Sequence, residues 1–405
     1  MKPIKFTFPG HDGSTLAARL DLPPGRVQAA AVFAHCFTCS KDIPAARRIS
    51  QRLAMMGIAV LRFDFTGLGH SGGEFANTGF TSNVGDLRAA AQAMADKVMA
   101  PTLMIGHSLG GAAVLRAAAD IESVRAVATI GAPADPGHVV HNFETALPEI
   151  EALGEAEVSL GGRPFTIRQS FVDDVRQAKV LDTVSGLKKA LLVMHAPGDD
   201  TVGIDNAGEI FAAAKHPKSF VTLDDADHLL TRASDAEYAA EVIAGWSRRY
   251  LGIRAPAAPI GAPEGVVRSF EVDPGGFLQD IQAGPTHHAK ADEPEAYGGT
   301  NLGFTPYNLV SAGLAACTSM TIRMYARRKG WPLEHVHVDV THDKIHASDC
   351  AMCDASEGKV DRFARKITLR GSLTPDQRSR LMEISDRCPV HRTLHQEVEI
   401  VTEPA

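Results

Sequence analysis

The residues Gly106-His107-Ser108-Leu109-Gly110 follow directly on the apolar run Pro101-Thr102-Leu103-Met104-Ile105. A short apolar run predicts a buried strand, and the small apolar residues from Leu109 to Asp120 predict a helix. A serine on such a strand-to-helix turn projects its hydroxyl above the sheet, within reach of a base. The two glycines suit a turn that bends tightly and packs strand against helix. The helix aims its first N–H groups at the place where an oxyanion would form. Gly-x-Ser-x-Gly also arises as an ordinary turn. The strand before it and the helix after it favour Ser108 as a nucleophile.

A serine nucleophile needs a base, and the base needs an orienting carboxylate. The predicted strand at 189–195 runs into Ala196-Pro197-Gly198-Asp199-Asp200-Thr201-Val202. The predicted strand at 219–223 runs into Asp224-Asp225-Ala226-Asp227-His228. Functional loops of open α/β sheets lie at the carboxyl ends of strands, which puts both loops on the edge of Ser108. His228 is the candidate base, the alternative being a surface histidine in an acidic loop. Asp199 and Asp200 compete for the acid. The string from His195 to Asp199, followed three residues later by Val202, resembles the acid loop of α/β-hydrolases. In that loop the carboxylate stands three residues before the valine, which favours Asp199. The predicted strand at 29–34 ends in His35-Cys36-Phe37-Thr38, similar to the His-Gly-x loop of the same family, with Cys36 where glycine is usual. The resemblance implies an oxyanion hole made by the backbone N–H groups of Phe37 and Leu109. A cysteine there puts a Cβ near the substrate oxygen and raises a question about the width of the acyl pocket.

Residues 1–253 resemble this family throughout. Strands are predicted at 4–8, 17–22, 29–34, 59–65, 101–105, 125–131, 190–195 and 219–223. Helices are predicted at 44–56, 82–98, 109–120, 205–214 and 234–251. This alternation predicts an α/β fold, a mainly parallel sheet covered on both faces. Residues 135–179 break the rhythm and read as a small lid. Gly67-Leu68-Gly69-His70-Ser71-Gly72 mimics a dinucleotide-binding loop. The next helix begins too late to bring its N-terminus to a pyrophosphate, so no cofactor is expected.

The chain has 405 residues, more than one typical domain, and residues 254–265 form a Pro/Ala/Gly-rich linker. Net charge is −7, with no basic run, which argues against nucleic acid as a partner. No apolar stretch reaches the ~20 residues a membrane span needs. The start lacks a signal-peptide core, so a cytoplasmic protein with mostly reduced cysteines is expected.

Residues 266–405 form a second predicted domain. Strands are expected near 266–272 and 277–283. Pro306 then opens a helix whose small and apolar residues cover every side, as in a buried helix, with Cys317 at its middle. Further strands near 336–345 and 363–371, a helix at 375–387, Cys388-Pro389 and a last strand at 397–402 follow. The small-residue helix with Ala316-Cys317-Thr318 and the late Cys388-Pro389 resemble the OsmC/Ohr family. The resemblance implies an α+β domain that forms intertwined homodimers. In the peroxidase branch it implies peroxide attack by Cys317 and resolution by Cys388. Two departures count against that activity. Tyr307 stands where a glutamate is usual, and no arginine lies between Ser269 and Ile322. A buried cysteine without a cation has a raised pKa.

His342, His346, Cys350 and Cys353 have ligand types at spacing compatible with zinc. On a straight strand the two histidines lie ~13 Å apart, so a loop with ordinary thiols is favoured and no metal is expected. Cys36 and Cys39 form a second Cys-x-x-Cys, where a disulfide would distort the oxyanion donors or act as a redox switch. The favoured reading is a serine carboxylesterase of small acyl esters fused to an OsmC-like dimerisation module. Its alternatives are a bifunctional protein that also reduces organic hydroperoxides at Cys317 and Cys388, and a non-catalytic binding protein.

Overall fold

The computed structural model describes residues 3–23, 27–160, 162–253, 261–272, 274–346 and 359–404. They fall into two compact units, Met1–Ala258 and Pro259–Ala405.

The strands of the first unit are β1 Ile4–Pro9, β2 Thr15–Asp21, β3 Ala29–Ala34, β4 Ile58–Phe63, β5 Leu103–His107, β6 Ala126–Ile130, β7 Glu155–Leu160, β8 Arg163–Arg168, β9 Ala190–His195 and β10 Lys218–Thr222. Its helices are α1 Pro44–Met55, α2 Phe80–Lys97, α3 Leu109–Ala118, α4 Leu147–Leu153, α5 Gln169–Gln177, α6 Val180–Ser185, α7 Asp205–Ala213 and α8 Ala233–Leu251. Eight strands form one sheet in the order β1-β2-β4-β3-β5-β6-β9-β10. The pairs β1–β2 and β2–β4 are antiparallel, and every other neighbouring pair is parallel.

Strands buried on both faces need mostly apolar side chains, which is why β3, β5, β6 and β9 read as largely apolar runs; β4 also carries the buried Arg62, which is paired with Asp21. Alternate residues feed two cores. Val32, Met104 and Val127 pack with Leu87 and Met94 of α2 and Leu115 of α3. Phe33, Ile105 and Leu192 pack on the other face with Ile49 and Leu53 of α1 and Ile243 of α8. Each such fully buried side chain contributes about 1.5–3 kcal/mol relative to exposure.

Residues 135–179 combine helix and strand. Pro136–Ala146 is 3-10 helix broken by a kink at Phe143, and between α4 and α5 lies the antiparallel hairpin β7–β8. Ala156, Val158 and Leu160 point inward while Glu155, Glu157 and Ser159 face out, the period of a half-buried strand.

The second unit holds β11 Val267–Glu271, β12 Gln279–Ala283, β13 His287–Ala291, α9 Pro306–Lys329, β14 His335–His346, β15 Lys359–Arg370, α10 Pro375–Ser385 and α11 Pro389–Leu394. It is an α+β arrangement: β11–β12–β13 and β14–β15 are antiparallel sheets, and α9 packs on β14. Two expectations fail here. Residues 397–402 form no strand; Val398, Ile400 and Val401 are exposed, and among the described residues no strand pairs with them. Helix α9 buries only the stripe Leu314, Thr318, Ile322 and Ala326, while Met320 and Met324 are 70% and 68% exposed. The spacing of four explains the stripe: one face meets the sheet of its own chain, and the remaining apolar faces stay open.

Among the described residues, no helix is long and apolar enough to cross a membrane. The zinc alternative falls partly outside the description, because residues 347–358, with Cys350 and Cys353, are not described. His342, which is described, bonds Asp361 at 2.7 Å.

Candidate active site

Ser108 sits between β5 and α3 with φ 56° and ψ −129°, a left-handed conformation that costs a non-glycine residue energy. Its N–H donates to the Ile130 carbonyl at 2.8 Å, which ties the turn to the next strand. The flanking glycines are required by close approach. A Cβ on Gly106 would lie 2.3 Å from the Gly110 carbonyl oxygen, and one on Gly110 would lie 2.3 Å from the His35 carbonyl oxygen. No side chain fits either place.

Two later loops bring their side chains to this turn. His228 Nε2 lies 3.0 Å from Ser108 Oγ, and His228 Nδ1 lies 2.7 Å from Asp199 Oδ2. A carboxylate only accepts, so Nδ1 carries the hydrogen and Nε2 is left to accept from the serine hydroxyl. The other oxygen of Asp199 accepts from the N–H groups of Thr201 at 2.9 Å and Val202 at 2.8 Å. Burial pushes the Asp199 carboxyl up, but the hydrogen bonds from His228, Val202 and Thr201 outweigh it and hold the group below the usual carboxylate range. Asp200 lies outside this arrangement; it is exposed and accepts from the Thr201 hydroxyl. Ser108, Asp199 and His228 are all largely buried, so little water competes for these bonds.

Sequence reasoning missed two supporting histidines. His107 is buried, and its Nε2 donates to the His228 carbonyl oxygen at 2.6 Å. His195 donates Nε2–H to the Val202 carbonyl at 2.7 Å and lies 3.6 Å from Asp199 Oδ2. Burial lowers the His107 pKa to about 4, so its imidazole is neutral near pH 7. Both stand at the carboxyl ends of strands, the signal that could have found them.

Phe37 and Leu109, the expected oxyanion residues, have backbone N–H groups without a partner among the described residues. Leu109 is the first residue of α3, where an N–H has no partner within the helix. The loop carrying Phe37 is anchored from below. Lys41 Nζ lies 2.5 Å from Asp64, and the buried Arg62 reaches Asp21 and Asp42, each at 2.8 Å, and the Lys41 carbonyl. In this loop Cys36 and Cys39 are joined by a disulfide, contrary to the expectation of reduced thiols. The turn that donates the Cys39 N–H to the Cys36 carbonyl brings the two residues together. Cys36 therefore has both a Cβ and a crosslink where glycine is usual.

In the second unit, Cys317 on α9 and Cys388 at the start of α11 are free thiols, each near enough to alter the other's acidity. Burial and the neighbouring Cys388 push the Cys317 thiol up. Burial also acts to raise Cys388, but Cys317, the His391 N–H and the Thr318 hydroxyl draw it down. An arginine from a later strand lies beside this helix. Arg365 of β15 donates to Thr318 Oγ1 at 3.1 Å, to the Ser385 carbonyl at 3.0 Å and to Asp386 at 2.7 Å. It was missed because a search of the segment before the helix does not see a strand that returns beneath it. Tyr307 stacks on His342, with ring centroids 4.1 Å apart and planes 7° apart.

A mainly parallel sheet with a serine on the turn after a central strand, and imidazole and carboxylate arriving from later strands, defines a hydrolase. Residues 26–154 match the family model described as serine aminopeptidase, S33, and residues 299–403 match that of OsmC-like protein. The esterase domain of a Rhodothermus marinus protein is 47% identical over 62% of this chain and 100% of that one, with a TM-score of 0.52. The α/β hydrolase GrgF from Penicillium sp. sh18 is 19% identical over 62% of this chain and 100% of its own, with a TM-score of 0.53. Alpha/beta hydrolase domain-containing protein 10 from mouse is 22% identical over 61% and 99%, with a TM-score of 0.50. These last two likenesses concern the fold alone. No curated protein matches the chain. The chain belongs to the α/β-hydrolase family and carries an OsmC-like domain in its C-terminal part.

Proposed function

We propose that the first unit is a carboxylesterase of small acyl esters, working through Ser108, His228 and Asp199. The observation that carries this reading is the unbroken chain of bonds, 3.0 Å from Ser108 to His228 and 2.7 Å from His228 to Asp199. As the serine oxygen attacks the ester carbonyl, His228 Nε2 takes its proton. The negative charge of Asp199 stabilises the resulting imidazolium and holds its tautomer. Charge developing on the carbonyl oxygen is met by the N–H groups of Phe37 and Leu109, each such donor being worth about 3 kcal/mol. His228 returns the proton to the departing alcohol, leaving an acyl group on Ser108. Water, activated by the same imidazole, then releases the acid. The test is hydrolysis of short nitrophenyl esters by the full chain and by Ser108→Ala. The variant should lose several orders of magnitude in kcat with its fold intact; equal turnover would refute the reading.

For the OsmC-like unit we propose a homodimerisation role, supported by the exposed apolar faces of α9 and the exposed Val398, Ile400 and Val401. The neighbouring free thiols of Cys317 and Cys388 favour a second activity, reduction of organic hydroperoxides. One thiolate takes the terminal peroxide oxygen and an alcohol leaves. The other thiol then displaces water as the disulfide forms, and a dithiol reductant restores both thiols. Dithiol-dependent hydroperoxide consumption, lost in both Cys317→Ser and Cys388→Ser, would support it. Its absence in the wild type would leave dimerisation as the role.

A further inference from the structure

Beside the oxyanion loop lies a cavity of about 10 Å³, lined among others by Phe37, Leu109, Leu68, Phe75, Thr78 and Phe171. That is about the space one water molecule occupies, or one methyl group. From this geometry, and resting on the ester-hydrolase reading, we infer that the enzyme acts on esters of formic and acetic acid. Phe75 and Phe171 set the acyl limit.

The placement follows from the chemistry of the site. A carbonyl oxygen held by the N–H groups of Phe37 and Leu109 puts its carbon beside those two residues, and both line this cavity. The acyl substituent therefore has to enter the space they border. Its far side is a wall of phenyl rings from separate segments. Phe37 lies 5.9 Å from Phe75 and 5.6 Å from Phe171, and Phe75 lies 4.8 Å from Phe165, between ring centroids.

The wall is fixed from behind. Phe171 is 2% exposed on α5. Asp174 of the same helix accepts from the Thr81 N–H at 2.8 Å and the Thr81 hydroxyl at 2.6 Å, which holds α5 against the start of α2. Phe165 comes from β8, with Arg163 stacked over its ring at 5.4 Å. Phe171 is thus held in place from behind, and each methylene beyond acetyl has to displace a ring of this wall. A larger hollow on this unit, about 530 Å³, is lined by Arg88, Arg116 and Lys179 and by neither Phe37 nor Leu109, so it does not border the proposed oxyanion donors.

The experiment is kcat/KM of the full chain on nitrophenyl acetate, propionate, butyrate and hexanoate, with Phe75→Ala and Phe171→Ala alongside. One surplus methylene in a tight pocket is discriminated by about 10–200-fold, so the wild type should fall at least about tenfold from acetate to butyrate. Either variant should raise the butyrate-to-acetate ratio at least about tenfold. Phe75 is only half-buried and serves if Phe171→Ala does not fold. Wild-type kcat/KM that holds or rises toward butyrate, with Ser108-dependent turnover, would overturn this inference alone. A folded variant with an unchanged ratio would do the same. Absence of turnover on every ester would overturn the hydrolase reading with it.

Discussion

His107 donates its Nε2–H to the main-chain carbonyl of His228 at 2.6 Å, so the residue before the proposed nucleophile grips the backbone of the proposed base. The two rings lie 5.3 Å apart. A hydrogen bond to the backbone fixes where the imidazole begins. The bond to Asp199 fixes how it is rotated.

His107→Gln keeps a donor at a similar reach and should retain kcat within a few-fold. His107→Leu should lose about 10–100-fold in kcat with KM nearly unchanged, because ring placement matters in the transition state more than in substrate binding. Steady-state kinetics on a short ester check both. Equal losses in the two variants would assign His107 to packing alone.

Stability should also depend on His107. Its folded pKa of about 4 lies below the ordinary 6.5, so the unfolded chain binds the extra proton between those values. The contribution is complete above about pH 6.5 and is lost as pH falls toward 4, amounting to about 3 kcal/mol. Urea unfolding of wild type and His107→Gln from pH 7 to 4 should show a steeper loss in the wild type. Parallel curves would contradict this.

Asp199→Asn should cost about four orders of magnitude in kcat, since an amide favours the wrong tautomer of His228. Asp200→Asn should cost less than about threefold, because among the described residues Asp200 bonds only the Thr201 hydroxyl. A larger effect at Asp200 would reverse the assignment of the acid.

Met320→Glu with Met324→Glu should convert a dimer to a monomer in light scattering, by placing charges on the open face of α9. A monomeric wild type, or an unaltered mass in the variant, would remove the dimerisation role.

Much of the fold was legible because its strands are short apolar runs with no competing period. The bounds of β3 and β9 coincide with the unbroken runs Ala29–Ala34 and Ala190–His195. Ser108 and Asp199 stood out because each follows such a strand, β5 or β9, whereas His228 follows the more polar β10. The hairpin β7–β8 was hidden inside a mixed acidic segment, although Ala156, Val158 and Leu160 alternate. The strand expected at 397–402 has the right residues but no neighbour to pair with. Arg365 and the rings of Phe75, Phe165 and Phe171 were out of reach for a different reason. Their roles depend on contacts between segments far apart in the chain, which periodicity does not encode.

The central claim is that Ser108 carries the acyl group during turnover. Acid-quenching the full-length enzyme during hydrolysis of nitrophenyl acetate and mapping its peptides by mass spectrometry tests this most directly. The account predicts one acetyl group on the peptide containing Ser108, trapped in greater amount when the wild type is quenched early and absent in Ser108→Ala. Hydrolysis that proceeds with no acetyl on that peptide, or with acetyl only on Cys317 or Cys388, would contradict it.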